Sequence, residues 1–177
     1  GDVRNYMGSA QLVDDITLLV VELARDEAVD IIKNSKRLIN AHQYQEASEV
    51  LEKGFKKYPD NQKILYNLAK NYFRVNSFRK AIDRIQVYTD NDKMNKNAYY
   101  IGGASYYQLG DFDNAISYFD KALEIDPGFV NALFAMGMAY KKKGENDRAV
   151  AMFERVINID PDNKMAMFEI RSITEKK

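Results

Sequence analysis

Apolar residues recur along most of this chain every three or four positions, the spacing of an amphipathic helix, not the two-residue alternation of a strand. The clearest stretch is 96–127. Tyr99, Gly102, Gly103 and Tyr106 share one helical face, Leu109-Gly110-Asp111 reads as a tight turn, and Ala115, Phe119 and Ala122 line a second helix. Pro127 stops that helix, because proline has no N–H to donate and clashes with the preceding turn. The same reading predicts first helices over 28–41, 62–75, 96–109 and 130–143. Second helices are predicted over 44–57, 78–89, 112–125 and 146–159, and a last helix over 164–174. Each hairpin carries an apolar face too wide for its own two helices to cover, so the hairpins must stack.

The hairpins are in register. A shift of 34 residues aligns Leu38, Tyr72, Tyr106 and Tyr140 in one column. It also aligns the small residues Ala47, Ala81, Ala115 and Ala149, and the bulky Leu51, Ile85, Phe119 and Phe153. The terminating column is Pro59, Lys93, Pro127 and Pro161; Asn91 and Asp92 are expected to end the second repeat, where proline is missing. A helical hairpin repeating at this interval resembles the tetratricopeptide repeat (TPR) family. The resemblance covers 28–163 as four repeats, 28–61, 62–95, 96–129 and 130–163, followed by a capping helix over 164–177. It implies an all-α fold, a right-handed superhelical α-solenoid, and binding of a protein or peptide in a concave groove lined by the first helices.

Residues 1–22 depart from this pattern. The run 16–21 is continuously apolar and rich in β-branched residues, which reads as a buried strand without partners. Such a strand either pairs with its copy, giving a homodimer through the N-terminal segment, or turns helical and caps the first repeat. From about Glu22 a helix is expected, reaching Ile39. Asp14-Asp15-Ile16-Thr17-Leu18-Leu19-Val20-Val21 resembles the C-terminal end of metal-dependent Ser/Thr phosphatase domains of the SpoIIE-like branch. That resemblance implies that 1–22 is the remnant of a preceding domain, that Asp14 is a metal ligand in an intact parent, and that the repeats are a regulatory region. A two-metal hydrolytic centre needs carboxylates from several strands. This sequence alone is therefore expected to be no enzyme and to hold no metal.

Lysine plus arginine and aspartate plus glutamate number 26 each, which argues against broad nucleic-acid binding. Nothing suggests a membrane span. The absence of cysteine excludes thiol chemistry and is compatible with a reducing, cytoplasmic setting. The single histidine, His42, reads as a polar turn residue. Asp90-Asn91-Asp92 lacks the glycine and distal glutamate of a calcium loop, and Gly102-Gly103 lies mid-helix without the lysine of a phosphate loop. No cofactor is implied. Lys141-Lys142-Lys143 complements the negative end of a helix dipole.

Candidate binding residues come from first-helix positions that the repeat core does not use. One column is Ile32, Tyr66, Tyr100 and Phe134; the next is Lys36, Lys70, Ala104 and Met138; a third is Ile39, Phe73, Tyr107 and Lys141. Beside them run Arg74 and Gln108 on one flank, Lys63, Asn97 and Asn131 on the other, with Asn67 next to Tyr66. The groove expected from these columns has aromatic rings in the middle and Lys36, Lys63, Lys70 and Arg74 towards its N-terminal half. The second repeat carries seven cations against three anions and the third two against five, so the asymmetry favours a partner with acidic and apolar side chains. Some TPR proteins clamp a chaperone's C-terminal carboxylate from these columns; Ile32 and Ala104 depart from that clamp. Self-association and service as part of a dephosphorylating enzyme are the alternative functions.

Overall fold

The computed structural model describes the backbone of residues 3–175 and the side chains of 13–24 and 26–175. Among these, all regular structure is helical. The chain divides into two compact units, with the boundary between Ile64 and Leu65.

In the first unit, α1 (Val3–Asn40) packs against α2 (Tyr44–Lys57). Among the described residues of α1, Ala28, Ser35 and Leu38 are the buried ones, all in its C-terminal part. From α2 it meets Ala47, Ser48, Leu51 and Gly54. Gly54 is needed for close approach: a Cβ there would lie 2.7 Å from Ile31. A polar clasp closes the same hairpin. Lys57 Nζ donates to both carboxylate oxygens of Glu27 at 2.6 Å, and the Tyr58 hydroxyl donates to Glu27 at 2.5 Å. The Lys57 hydrogen bond, followed by that of Tyr58, holds the Glu27 carboxyl below its ordinary value.

The stretch expected to be a strand is helical. Residues 16–21 lie inside α1, which begins at Val3 and not near Glu22. The physical reason is backbone satisfaction. A strand leaves its N–H and C=O groups unpaired unless another strand lies beside it, whereas a helix pairs them internally.

The second unit holds α3 (Gln62–Arg74) from Leu65 onward, α4 (Phe78–Asn91), α5 (Lys96–Gln108), α6 (Phe112–Ile125), α7 (Val130–Lys143), α8 (Asn146–Ile159) and α9 (Lys164–Thr174). From α4 onward each helix packs on the next in the chain, and α5 also meets α7. Phe119, Phe153, Leu133 and Val156 are fully buried between them.

The repeat is visible as recurring backbone chemistry. His42, Asn76, Gly110 and Gly144 all have positive φ, between 58° and 80°. At each, two hydrogen bonds close the preceding helix: Asn76 N to Phe73 O and Ser77 N to Tyr72 O in one copy, Gly144 N to Lys141 O and Glu145 N to Tyr140 O in another. This is a Schellman motif made four times. The second helices also end alike, with Tyr58, Asp92, Asp126 and Asp160 at φ between −139° and −127° and ψ between 68° and 96°. Asp92 therefore ends α4 without a proline, and Lys93 at the terminating column changes nothing. First helices start on asparagine caps: the side chains of Asn61, Asn95 and Asn163 accept backbone N–H groups. Phe129 breaks that column and gives up its cap. Its ring lies 5.5 Å from that of Tyr100 instead.

Candidate functional site

Within the second unit, α3, α5, α6 and α7 surround an open apolar cavity of about 240 Å³. Phe73, Tyr100, Tyr107 and Phe134 line it, with Ala104, Gln108, Ala135, Met138 and Phe119 completing the wall. The aromatic positions are held by ring contacts beneath them. Phe73 meets Phe78 and Tyr107 meets Phe112, at 5.7 and 5.5 Å. Tyr100 meets Phe119 at 5.9 Å, and Phe134 meets Phe153 at 5.3 Å. Each ring is thus fixed by a second-helix ring and cannot collapse into the space. The small Ala104 and Ala135 keep that space open. Burial raises the hydroxyl pKa of Tyr100, and burial followed by the nearby Glu169 carboxylate raises that of Tyr107. Both remain neutral hydrogen-bonding groups at physiological pH.

Charge around the cavity is asymmetric. On the α3 side Lys70 and Arg74 are exposed and have no ion-pair partner among the described residues. On the α7 side Lys141 is already spent: its Nζ lies 2.5 Å from Glu169 Oε2 and 2.8 Å from Ser172 Oγ of α9. Lys143 is likewise paired, with Asp113 and Glu145. These lysines stand in the last turn of α7, as expected, and two of the three also make ion pairs that the sequence did not indicate.

Of the residues singled out from the sequence, Phe73, Tyr100, Tyr107 and Phe134 come together in this cavity. Tyr66 does not line it; its half-buried ring packs 5.4 Å from Tyr88, and burial raises its hydroxyl pKa. Asn67 is half-buried, and Asn97 and Asn131 are exposed in the first turns of α5 and α7, outside the lining. Lys36 and Lys63 belong to the first unit, where both are exposed. Sequence reasoning placed Phe119 wholly in the core and passed over Ala135. The register offered a signal for the latter, since Ala135 follows the Phe134 column directly.

A larger cleft of about 600 Å³ is lined by Asp90, Lys93, Tyr99, Lys121 and Glu124, with Thr89, Met94 and Ile125. It mixes both signs of charge and contains none of the predicted groove residues. Among the described residues no group of three or more His, Asp or Glu side chains is placed to hold a metal, and no helix is long and apolar enough to cross a membrane. Asp14 stands exposed on α1.

Comparison with known proteins agrees with this architecture. The tetratricopeptide repeat family profile matches residues 106–168, and that of anaphase-promoting complex, cyclosome, subunit 3 matches 40–122. No curated protein matches the sequence. Among solved structures, one crystal structure of MamA superposes with a TM-score of 0.80 at 23% identity, covering 84% of this chain and 81% of that one. A second crystal structure of MamA gives 0.78 at 24% identity, over 80% and 83%. A MamA fragment from Desulfovibrio magneticus RS-1 gives 0.74 at 19% identity, over 77% of each chain. At these identities the likeness establishes the fold, an all-α solenoid of helical hairpins. Residues 106–168 carry the tetratricopeptide repeat signature.

Proposed function

We propose that this protein is an interaction module that binds a peptide or protein segment on the α3–α5–α7 face of its second unit. The observation that carries the reading is the open aromatic cavity beside two unpaired cations. An apolar side chain of the partner fills the space between Phe73, Tyr100, Tyr107 and Phe134. An acidic residue next to it meets Lys70 and Arg74, which lie one helical turn apart on α3. Because Lys141 is neutralised by Glu169, the positive potential sits only on the α3 side, and this sets the direction of the bound segment. Fixed rings supply contact area at little entropic cost. The test is fluorescence anisotropy against a peptide array in which one leucine or phenylalanine is flanked by acidic, neutral or basic residues. Acidic peptides are expected to bind best, and the K70E/R74E variant should lose about tenfold in affinity together with most of the salt dependence. Equal binding of basic peptides, or an unchanged salt slope in the variant, would place the surface elsewhere.

A second reading concerns α1. From Val13 to Leu23 its large apolar side chains, Val13, Ile16, Leu18, Leu19, Val20, Val21 and Leu23, are all 52–60% exposed and cover most of the helix surface apart from the side that carries Asp14, Asp15 and Glu22. A helix with so broad an exposed apolar surface calls for a partner to cover it. As a strand, the same residues would suit a sheet covered on both faces. We infer that in its natural setting this segment is the last strand of a phosphatase-like domain, with Asp14 beside the metals, and that the repeats regulate that domain. Isotope-edited infrared spectroscopy of residues 18–21 in the natural chain containing this sequence should report strand. Mn²⁺-dependent hydrolysis of p-nitrophenyl phosphate should be lost in Asp14→Asn. A helical signal without turnover would refute the reading.

A further inference from the structure

The outer face of α9 carries a self-complementary stripe. Lys164, Phe168, Arg171 and Glu175 recur at i, i+4, i+7 and i+11 and so stand in one line along the helix. All four are exposed, Phe168 at 67%, and none of the three charged residues has an ion-pair partner among the described residues. Met165, 65% exposed, and Met167 flank the stripe.

This face is not awaiting another hairpin. In the register of the repeats Phe168 aligns with Tyr100 and Phe134, each of which packs on a ring of its following second helix. Arg171 aligns with Gly103 and Gly137. At those glycines an added Cβ would lie 2.6 and 2.7 Å from the rings of Phe119 and Phe153, and the first two repeats hold the small, fully buried Ser35 and Ala69 in this column, so the second helix approaches where the side chain is small or absent. An arginine at that position closes the slot. Phe168 thus keeps the apolar character of its column but cannot receive the helix that covers the column elsewhere.

We propose that α9 docks antiparallel on α9 of a second copy, forming a two-fold symmetric dimer. Laid antiparallel with the axis between residues 169 and 170, Lys164 faces Glu175 of the other copy, and Phe168 faces Arg171. A symmetric interface makes each contact twice. The result is two ion pairs and two arginine–aromatic stacks around a methionine-flanked centre. A parallel arrangement would set Lys164 against Lys164 and Arg171 against Arg171. Two helices of this length bury on the order of 1,000 Å² in total, the lower end of specific interfaces, so the dimer is weak, with Kd on the order of 100 µM. The inference stands apart from the peptide-binding reading, which concerns a different face.

Sedimentation equilibrium of the full chain over a concentration series tests it. Lys164→Glu sets glutamate against Glu175 twice and is expected to weaken association about tenfold; K164E/E175K restores both pairs and should restore the dimer. Because the chain has no cysteine, K164C/E175C should cross-link into a dimer under mild oxidation, while K164C or E175C alone should not. Association through the apolar residues 13–23 would be blind to all of these changes. A chain that stays monomeric to millimolar concentration, or a dimer indifferent to K164E and uncross-linked in K164C/E175C, overturns the proposal.

Discussion

Replacing Gly103 by alanine is expected to destabilise the second unit, although alanine is the better helix former. Glycine inside a helix costs about 1 kcal/mol relative to alanine, so propensity alone predicts a gain of that size. Packing opposes it. The new methyl would lie 2.6 Å from Cε1 and 2.7 Å from Cδ1 of Phe119 and 3.1 Å from the carbonyl oxygen of Ala115. Phe119 is fully buried with its ring against that of Tyr100, and the Ala115 oxygen belongs to a helix backbone that can shift only with the whole of α6. Overpacking of this kind costs about 1–3 kcal/mol, which exceeds the propensity gain at all but the bottom of its range. The net expectation is a loss of roughly 1 kcal/mol, read as a lower urea midpoint with an unchanged slope. Pairing G103A with Phe119→Leu removes the ring edge that the methyl strikes. In that background the alanine should be neutral or stabilising, a coupling of about 1 kcal/mol between the two sites. A higher midpoint for G103A alone would mean that the two helices are not in the contact described.

What the sequence could and could not reveal follows from the range of the forces involved. The hairpins were legible because periodicity, turn glycines and prolines act within a few residues. The ends of α2 and of α6 to α9 fall at the predicted positions. The turn positions recur as well, although His42 and Asn76 stand where later repeats have Gly110 and Gly144. Residues 16–21 misled for a complementary reason. Their β-branched run encodes a preference for a sheet, and a preference without a pairing partner loses to the helix that satisfies its own backbone. At the cavity, Phe73, Tyr100, Tyr107 and Phe134 could be picked out as first-helix positions left over from the core. Their floor could not: Phe119 belongs to the bulky core column, and the spacing does not show that one edge of a core ring is also a cavity wall. The pairing of Lys141 with Glu169 was equally hidden, since it joins the fourth repeat to the last helix across 28 residues and occupies no common column.

Phe119→Ala and Phe168→Ala should differ widely in their effect on stability. Both residues are phenylalanines on amphipathic helices, but Phe119 stands in the bulky core column and Phe168 in the column of Tyr100 and Phe134. Burial separates them. Phe119 is 0% exposed, seals α5 against α6 and forms part of the cavity wall, so truncation removes a full ring from water-free surroundings and leaves a void. Such losses run to about 3–5 kcal/mol, against a typical total of about 5–15 kcal/mol for a domain. In a stacked array each hairpin is held mainly by its neighbours, so the damage should spread to α7 and α8. Amide exchange should accelerate there as the denaturant midpoint falls. Phe168 is mostly in water, so its truncation should move the stability of a single copy by no more than about 0.5 kcal/mol. Its effect should appear only in the concentration dependence of the mass, where the stack on the second copy's Arg171 is lost. Equal destabilisation by the two changes would mean that Phe168 is covered within its own chain, and the stripe on α9 would then have no free ring to offer.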